Sequence, residues 1–275
     1  MYSPELLTYD LGPDVCAFST GRNGGYSKGA YSSFNANAFC GDDEGAVRKN
    51  RELLCGTLGL DVPRLIIPHQ IHRAEVRCID EAFFMRTDEE RTALLEGVDA
   101  VMTDLPHTCV SVSTADCIPV LIYDEAHHAV AAVHAGWRGT VLRVTQAVLR
   151  AMSEVYGTRP AEVKAVIGPG ISFAAFEVGD EVYEEFYAAG FPMDKLAGRY
   201  PARRPDNVPV EKWHIDLWQA NRGLLEEAGV PSCRIRLAGI CTYSVPDRFF
   251  SARRLGVRSG RILNGIFLKD SLKNR

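Results

Sequence analysis

No Cys-x-x-Cys pair occurs among the eight cysteines, which are scattered at positions 16, 40, 55, 78, 109, 117, 233 and 241. A paired-thiol redox motif is thereby excluded, and scattered thiols of this kind fit a reducing, cytoplasmic setting better than a disulfide framework. Nowhere do about 18 apolar residues run together, the length a membrane-spanning helix needs. The first residues, MYSPELLTYDLGPD, hold neither a charged leader nor a long apolar stretch, so secretion and membrane insertion are not expected. A basic block is also missing: Lys plus Arg number 31 against 35 Asp plus Glu, a net charge of −4. Nucleic acid is therefore an unfavourable partner on electrostatic grounds. There is no P-loop, and GRNGG at 21–25 lacks the strand, turn and helix context of a dinucleotide fingerprint. The H-x-E with P-C-x-x-C signature of zinc nucleobase deaminases is absent too. Seven histidines, at 69, 72, 107, 127, 128, 134 and 214, provide poorly for a multicopper centre, which needs many imidazole ligands.

What is present is a core. With 275 residues and 46% hydrophobic content the chain can bury a large interior, and residues 1–275 are expected to form one domain. The apolar runs CVSVS (109–113), PVLIY (119–123) and AVAAV (129–133) predict three short buried strands separated by turn residues. That spacing places Thr114, Asp116, Cys117 and His134 at strand ends. A Cys and a His brought together there suit either a thiolate nucleophile with an imidazole base or a shared divalent metal. Upstream, RLIIPHQIHRAEVRCI has an extended run from Leu65 to Ile67, broken by Pro68, His69, Gln70 and His72. Imidazoles that interrupt a buried run need partners. His72, Cys117 and His134 would make a three-ligand zinc site whose open position leaves room for a water with its pKa lowered to about 7.

Elsewhere the pattern predicts an α+β layered fold. GWRGTVLRVTQAVLRAMSEVYG (136–157) carries Val141, Val144, Val148, Ala151, Met152 and Val155 at helical spacing, a stripe suited to packing on a sheet. EVKAVIG, IRLAGIC and RILNGIFLK read as further strands, and GDEVYEEFYAAG and HIDLWQANRGLLEEAG as amphipathic helices. DEAFFMRTDEERTALLEG (80–97) predicts one charged inserted helix. The Pro- and charge-rich segment 193–212 predicts a surface excursion.

The motifs QIH (70–72), TADC (114–117), HAGWRGT (134–140), IGPGIS (167–172) with FEVGDEV (176–182), and CTY (241–243) with FFSARR (249–254) stand in an order that resembles the YfiH/YlmD-type laccase-domain family. SSFNANAFCGDDEGAVRKNRELL (32–54) extends the resemblance over nearly the whole chain. It implies a layered sandwich of two mixed β-sheets flanked by helices, with His72, Cys117 and His134 as zinc ligands and copper as an alternative occupant. Three positions depart from the family pattern: Phe39 for a His before GDD, Arg73 for a Gly after the ligand His, and Leu255 for an Asp after the Arg pair. The implied activities are phosphorolysis of adenosine, inosine and methylthioadenosine, and adenosine deamination, with a purine nucleoside and phosphate as partners. Asp116 is the acid/base candidate beside Cys117 and His134. Phosphate needs fixed cations, which makes Arg51, Arg138 and Arg253 candidates, and Asn35 and Gln70 could hold base or ribose through their amides. The same resemblance also carries an alternative, a zinc amidase editing muramoyl-amino-acid cell-wall precursors. A metal-free Cys117/His134 hydrolase is a third. Oligomeric state is not legible.

Overall fold

A computed structural model describes residues 3–203 and 209–269. Its centre is two mixed β-sheets. The first runs, edge to edge, through Leu6–Tyr9, Val15–Thr20, Ile262–Leu268, Cys109–Thr114 and Leu65–Ile66. The second runs through Ile235–Leu237, Val163–Ile167, Ile118–Asp124, Ala129–Ala135, Ala100–Thr103 and Val76–Cys78. Each sheet is antiparallel except where an edge strand joins in parallel: Leu65–Ile66 in the first, Val76–Cys78 and Ile235–Leu237 in the second.

The strands alternate, and the alternation builds four layers. Val101, Leu121, Tyr123, Val130, Ala132 and Val166 of the second sheet face Val15, Ala17, Val110, Val112 and Ile266 of the first, forming the seam between them. Their neighbours Met102, Val120, Ile122, Ala131 and Val133 point the other way, onto Val144, Val148, Leu149 and Met152 of helix Val144–Tyr156 and Leu217, Ala220 and Leu224 of helix Leu217–Glu227. On the far side of the first sheet, Phe18, Cys109, Leu263 and Phe267 pack on Leu54 and Cys55 of helix Glu44–Leu58. Strands covered on both faces carry unbroken apolar runs rather than an alternation of apolar and polar residues. AVAAV and PVLIY read as such runs for that reason, and every residue of Ala129–Ala135 is buried.

Three predicted elements differ. The stretch 136–157 is two helices, Trp137–Val141 and Val144–Tyr156, because Arg143 adopts a left-handed conformation (φ 59°) that breaks the turn between them. Val155, in the last turn of the second helix, is 54% exposed, and Leu149 is among the residues packed on the sheet. Segment 80–97 likewise splits into Glu81–Phe84 and Asp88–Leu94, the second opened by a capping box between Thr87 and Glu90. Segment 193–212 lies at the surface, with Arg199, Tyr200 and Pro201 exposed, but it is regular: after the short helix Met193–Leu196, Ala197–Arg203 and Pro209–Ile215 pair antiparallel and form a third small sheet with Glu177–Val178. Trp213 stacks on Tyr183 at 4.0 Å, which anchors that ribbon to helix Asp180–Ala188. Residues 204–208 lie outside the described residues. Among the described residues no helix is long and apolar enough to cross a membrane.

The seam makes one expectation quantitative. Leu121 is wholly buried between the sheets on the strand that follows Cys117, so Leu121→Ala should destabilise the fold by about 2–5 kcal/mol. Chemical denaturation monitored by circular dichroism measures this, and a loss below about 1 kcal/mol would show that the seam closes over the cavity.

Candidate metal and catalytic site

Both edge strands Leu65–Ile66 and Val76–Cys78 are joined by the chain that crosses from the first sheet to the second, and His72 sits on this crossing. The crossing is pinned at each side. The Gln70 side chain clips onto the backbone of Ser113 in the first sheet, donating to its carbonyl at 2.9 Å and accepting its N–H at 2.7 Å. On the second sheet, three successive N–H groups, of Ile71 (3.3 Å), His72 (3.0 Å) and Arg73 (2.7 Å), donate to the carboxylate of Asp99. Three consecutive amides can converge on one anion only if the backbone curls, and His72 does so with φ 63°.

Asp99 also holds the second histidine. His134, 3% exposed at the end of its strand, lies opposite Pro119, and its backbone N–H goes instead to the Asp99 carbonyl at 2.8 Å. Its Nδ1 lies 2.7 Å from Asp99 Oδ1. With Nδ1 bonded to the carboxylate, Nε2 is the nitrogen left for a ligand, the usual arrangement behind metal-binding imidazoles.

Cys117 completes the trio. Ile118 pairs with Ala135, so the residue before it emerges beside Gly136. A β-carbon on Gly136 would stand 3.0 Å from both Cys117 Sγ and His72 Cδ2; the glycine leaves that space to the two side chains. Sγ lies 3.7 Å from His72 Nε2, and the donor atoms of His72, Cys117 and His134 all fall within 4.8 Å of one another. Among the described residues this is the one group of three that could hold a metal ion. One thiolate and two imidazoles suit a borderline divalent cation with a coordination position to spare. The set is too small for a multicopper cluster.

The electrostatics favour a deprotonated sulfur. Burial opposes ionisation of Cys117, but the adjacent His134, with hydrogen bonds from His134 and His72, outweighs it and brings the thiol down to about 6. Burial works against a charged His134 too, yet Cys117 and Asp99 together raise it to about 9. Burial alone would raise Asp99; the hydrogen bond and charge of His134, with the Arg73 and His72 amides, hold it below the usual range. The two shifts are coupled, each group favouring the charged form of the other.

Asp116, next in sequence to Cys117, lines the same cavity at φ 88°. Its Oδ1 accepts from Thr242 Oγ1 and its Oδ2 from the Arg253 N–H, both at 2.7 Å, while its carbonyl accepts from Ile171 N at 2.8 Å. One residue thus ties together the IGPGIS, CTY and SARR segments.

The cavity these segments enclose has a volume of about 560 Å³, within the range for small-molecule sites. His72, Cys117, His134, Asp116, Gln70 and Arg253 line it; Asn35, Arg51 and Arg138 do not. Asn35 is fully buried and holds the 35–42 loop through Asn37, Asp42 and the Arg261 N–H. Arg51 donates to the Ala36 carbonyl at 2.8 Å beside a second cavity, and Arg138 lies over the Trp137 ring at 4.2 Å. Sequence reading passed over Asp99, although a lone carboxylate inside the apolar run GVDAVMT was a signal. It also passed over Arg261, which lines the cavity with its guanidinium on the carbonyls of Ser259, Gly260 and Val257.

A thiol, two imidazoles and a carboxylate thus converge on a small-molecule cavity carried on paired mixed sheets, the first three of them in an arrangement that could hold a metal ion. The chain belongs to the family described as multi-copper polyphenol oxidoreductase laccase, whose model matches residues 16–269, the YfiH/YlmD-type laccase-domain family. It is 46% identical over 255 residues to a purine nucleoside phosphorylase of Bacteroides thetaiotaomicron, covering 93% of this chain and 92% of that one. Identity to the adenosine deaminase RL5 of an unknown prokaryotic organism is 42% over 255 residues, with 93% and 94% covered. The crystal structure of the Bacillus licheniformis hypothetical protein YfiH superposes with a TM-score of 0.84 at 28% identity, covering 97% of each chain.

Removing Asp99 separates orientation from ligation. Asp99→Asn should weaken binding of a divalent metal by roughly 10–100-fold with the three ligands still present, read by competition against a chromophoric chelator. Unchanged affinity would show that the loop holds His72 without the carboxylate. In metal-stripped protein, iodoacetamide at pH 7 should modify Cys117 before Cys40, Cys55 and Cys78, whose thiols burial pushes up. Because a depressed thiol ionises at lower pH, its alkylation rate should be half-maximal near pH 6, matching the lowered value of about 6. Peptide mass spectrometry locates the label, and equal labelling of all four would contradict a thiolate at Cys117.

Proposed function

We propose that this chain is a zinc-dependent purine nucleoside enzyme, acting on adenosine, inosine and methylthioadenosine by phosphorolysis and on adenosine by deamination. The observation that carries the reading is the convergence of Cys117, His72 and His134 on a cavity that also presents two arginines, Arg253 and Arg261, without a carboxylate partner among the described residues. Names of the relatives supply the substrate class. The fit of the single family match to residues 16–269 supports reading the chain as one domain.

His72, Cys117 and His134 would hold the zinc, which when bound supplies a Lewis acid able to acidify water or polarise a substrate oxygen. Asp99 keeps His134 and the His72 loop in ligand geometry. Asp116 faces the cavity with both oxygens already accepting hydrogen bonds, and each keeps a further lone pair that can take a proton from an attacking oxygen. In deamination that proton is returned to the departing ammonia. In phosphorolysis a phosphate oxygen displaces the base at the ribose C1′, and the base leaves with the electron pair of the glycosidic bond.

Phosphate needs cations that no carboxylate side chain neutralises. Arg253 Nη1 donates to the Glu177 carbonyl and Arg261 to the carbonyls of Ser259, Gly260 and Val257, and among the described residues no carboxylate pairs with either guanidinium, which leaves their charge for an anion. Of the three arginines expected from the sequence, Arg253 keeps this role, and Arg261 takes the place of Arg51 and Arg138, which do not line the cavity. Gln70 and Asn35 act through structure, since their amides are already committed to backbone and loop partners. The same arginine wall would also receive the phosphates of a nucleotide-linked muramoyl amino acid, and this favours the amidase as the second reading.

Zinc-loaded protein should release ammonia from adenosine without phosphate, and should form ribose 1-phosphate from inosine only with it. Arg253→Ala should raise the phosphate KM about tenfold or more while slowing deamination far less, because a lost charged contact mainly weakens anion binding. Asp116→Asn can keep its bond from Arg253 N, and should cut turnover by roughly 10²–10⁴ with metal retained. Hydrolysis of a muramoyl-amino-acid nucleotide, with both purine reactions undetectable, would replace this reading with the amidase.

A further inference from the structure

Phe39 stands in ANAFCGDD, a segment whose other apolar residues are only small Ala and Cys side chains. The loop that carries it is nevertheless fixed. Phe39 N donates to Asn37 Oδ1 at 2.6 Å, and Asn35 bonds Asn37, Asp42 and Arg261 around it. The ring lies on the His69 imidazole, with centroids 4.4 Å apart and planes 21° from parallel. His69 is itself immobilised. Its Nδ1 lies 2.8 and 2.9 Å from the two oxygens of Glu96, its N–H donates to the Leu95 carbonyl at 3.0 Å, and its carbonyl accepts from Gly97 at 2.9 Å.

A carboxylate thus braces an imidazole, and the imidazole braces a phenyl ring. Although His69 covers one side, Phe39 is 46% exposed, and both residues line the cavity that holds His72, Cys117 and His134. The pair also borders the second cavity, of about 450 Å³, and so forms a wall between the two. Water gains nothing from an aromatic surface held rigid in a polar cavity, whereas a planar heterocycle stacks on it at little entropic cost because the ring is already fixed. A second phenyl ring, Phe176, also lines the cavity, but it is 7% exposed and lies 5.7 Å from the Arg253 guanidinium, so Phe39 is the aromatic face more open to a base.

We propose that Phe39, braced by His69 and Glu96, is the stacking face for the heterocyclic base and determines the specificity of the site for nucleosides with planar bases. This rests on the purine reading above. His69 and Glu96 are positioning residues.

The test compares wild type with Phe39→Ala and Phe39→Tyr, first by calorimetric titration with free adenine and then by steady-state kinetics with adenosine and inosine. Melting temperature and zinc content serve as controls for the fold. Phe39→Ala should weaken adenine binding and raise nucleoside KM about tenfold, the size of one base stacked on an aromatic side chain. The loss should fall on KM rather than kcat, the phosphate KM should stay within about twofold, and Phe39→Tyr should restore wild-type behaviour. Equal adenine affinity in wild type and Phe39→Ala would overturn the proposal even if purine turnover is present. Phe39-dependent adenine binding without any nucleoside turnover would keep the stacking face and reject the reaction assigned to the site.

Discussion

The buried carboxylate of Asp99 is the constraint on which the site depends. A charge with no exposure to solvent is costly unless donors surround it, and Asp99 is fully buried at the mouth of the apolar strand Ala100–Thr103. It is satisfied by three consecutive amides of the 71–73 turn and by His134 Nδ1. Satisfying it requires the curled backbone at His72 and fixes which nitrogen of His134 faces Cys117. Two of the three convergent donors are therefore oriented by one interaction, and the third follows from strand register. The electrostatic coupling runs along the same line, since Asp99 supports the charge on His134 and His134 supports the thiolate.

A second carboxylate, Asp116, does for the opposite wall what Asp99 does for the metal-type trio. Its hydrogen bonds to Thr242 and Arg253, and that of its carbonyl to Ile171, bring three distant segments to the end of the strand that leads to Cys117. Gly170 allows this approach, because a β-carbon there would meet Ile118 Cδ1 at 2.5 Å. The cavity is consequently asymmetric, with soft donors on one wall, guanidinium groups on another, and an aromatic ring at the border. Such a lining can separate the reacting centre, the anion and the planar part of one substrate in space, so that each is held by a different chemistry.

Local sequence was informative where burial dictates composition. Runs such as PVLIY and AVAAV are covered on both faces, so their apolar character announced strands without any knowledge of partners. The polar interruptions at His72, Cys117 and His134 were conspicuous because each ends or breaks such a run. Prediction failed where a local pattern had two uses. The Pro- and charge-rich composition of 193–212 announced a surface segment but not the ribbon of Ala197–Arg203 and Pro209–Ile215, whose stability comes from cross-strand partners such as Glu177–Val178 and from the stacking of Trp213 on Tyr183. The helix predicted over 136–157 was continuous because periodicity alone cannot see Arg143 turn left-handed.

The sequence by itself determined the layered α+β class, most strands of the central sheets though not Leu6–Tyr9, Val15–Thr20 or Ala100–Thr103, and the identity of the three convergent donors, because these follow from hydrophobic pattern and from the few residue types able to ligate a metal. Only the tertiary structure decided which supporting groups reach them. Asp99 acts through donors 26 to 35 residues away, Arg261 enters the cavity from the start of the last strand, and Arg51 and Arg138 are turned out of it by a carbonyl and an indole ring. A guanidinium looks alike in sequence wherever it stands; whether its charge meets a ligand, a backbone carbonyl or a ring is set by contacts between segments far apart along the chain.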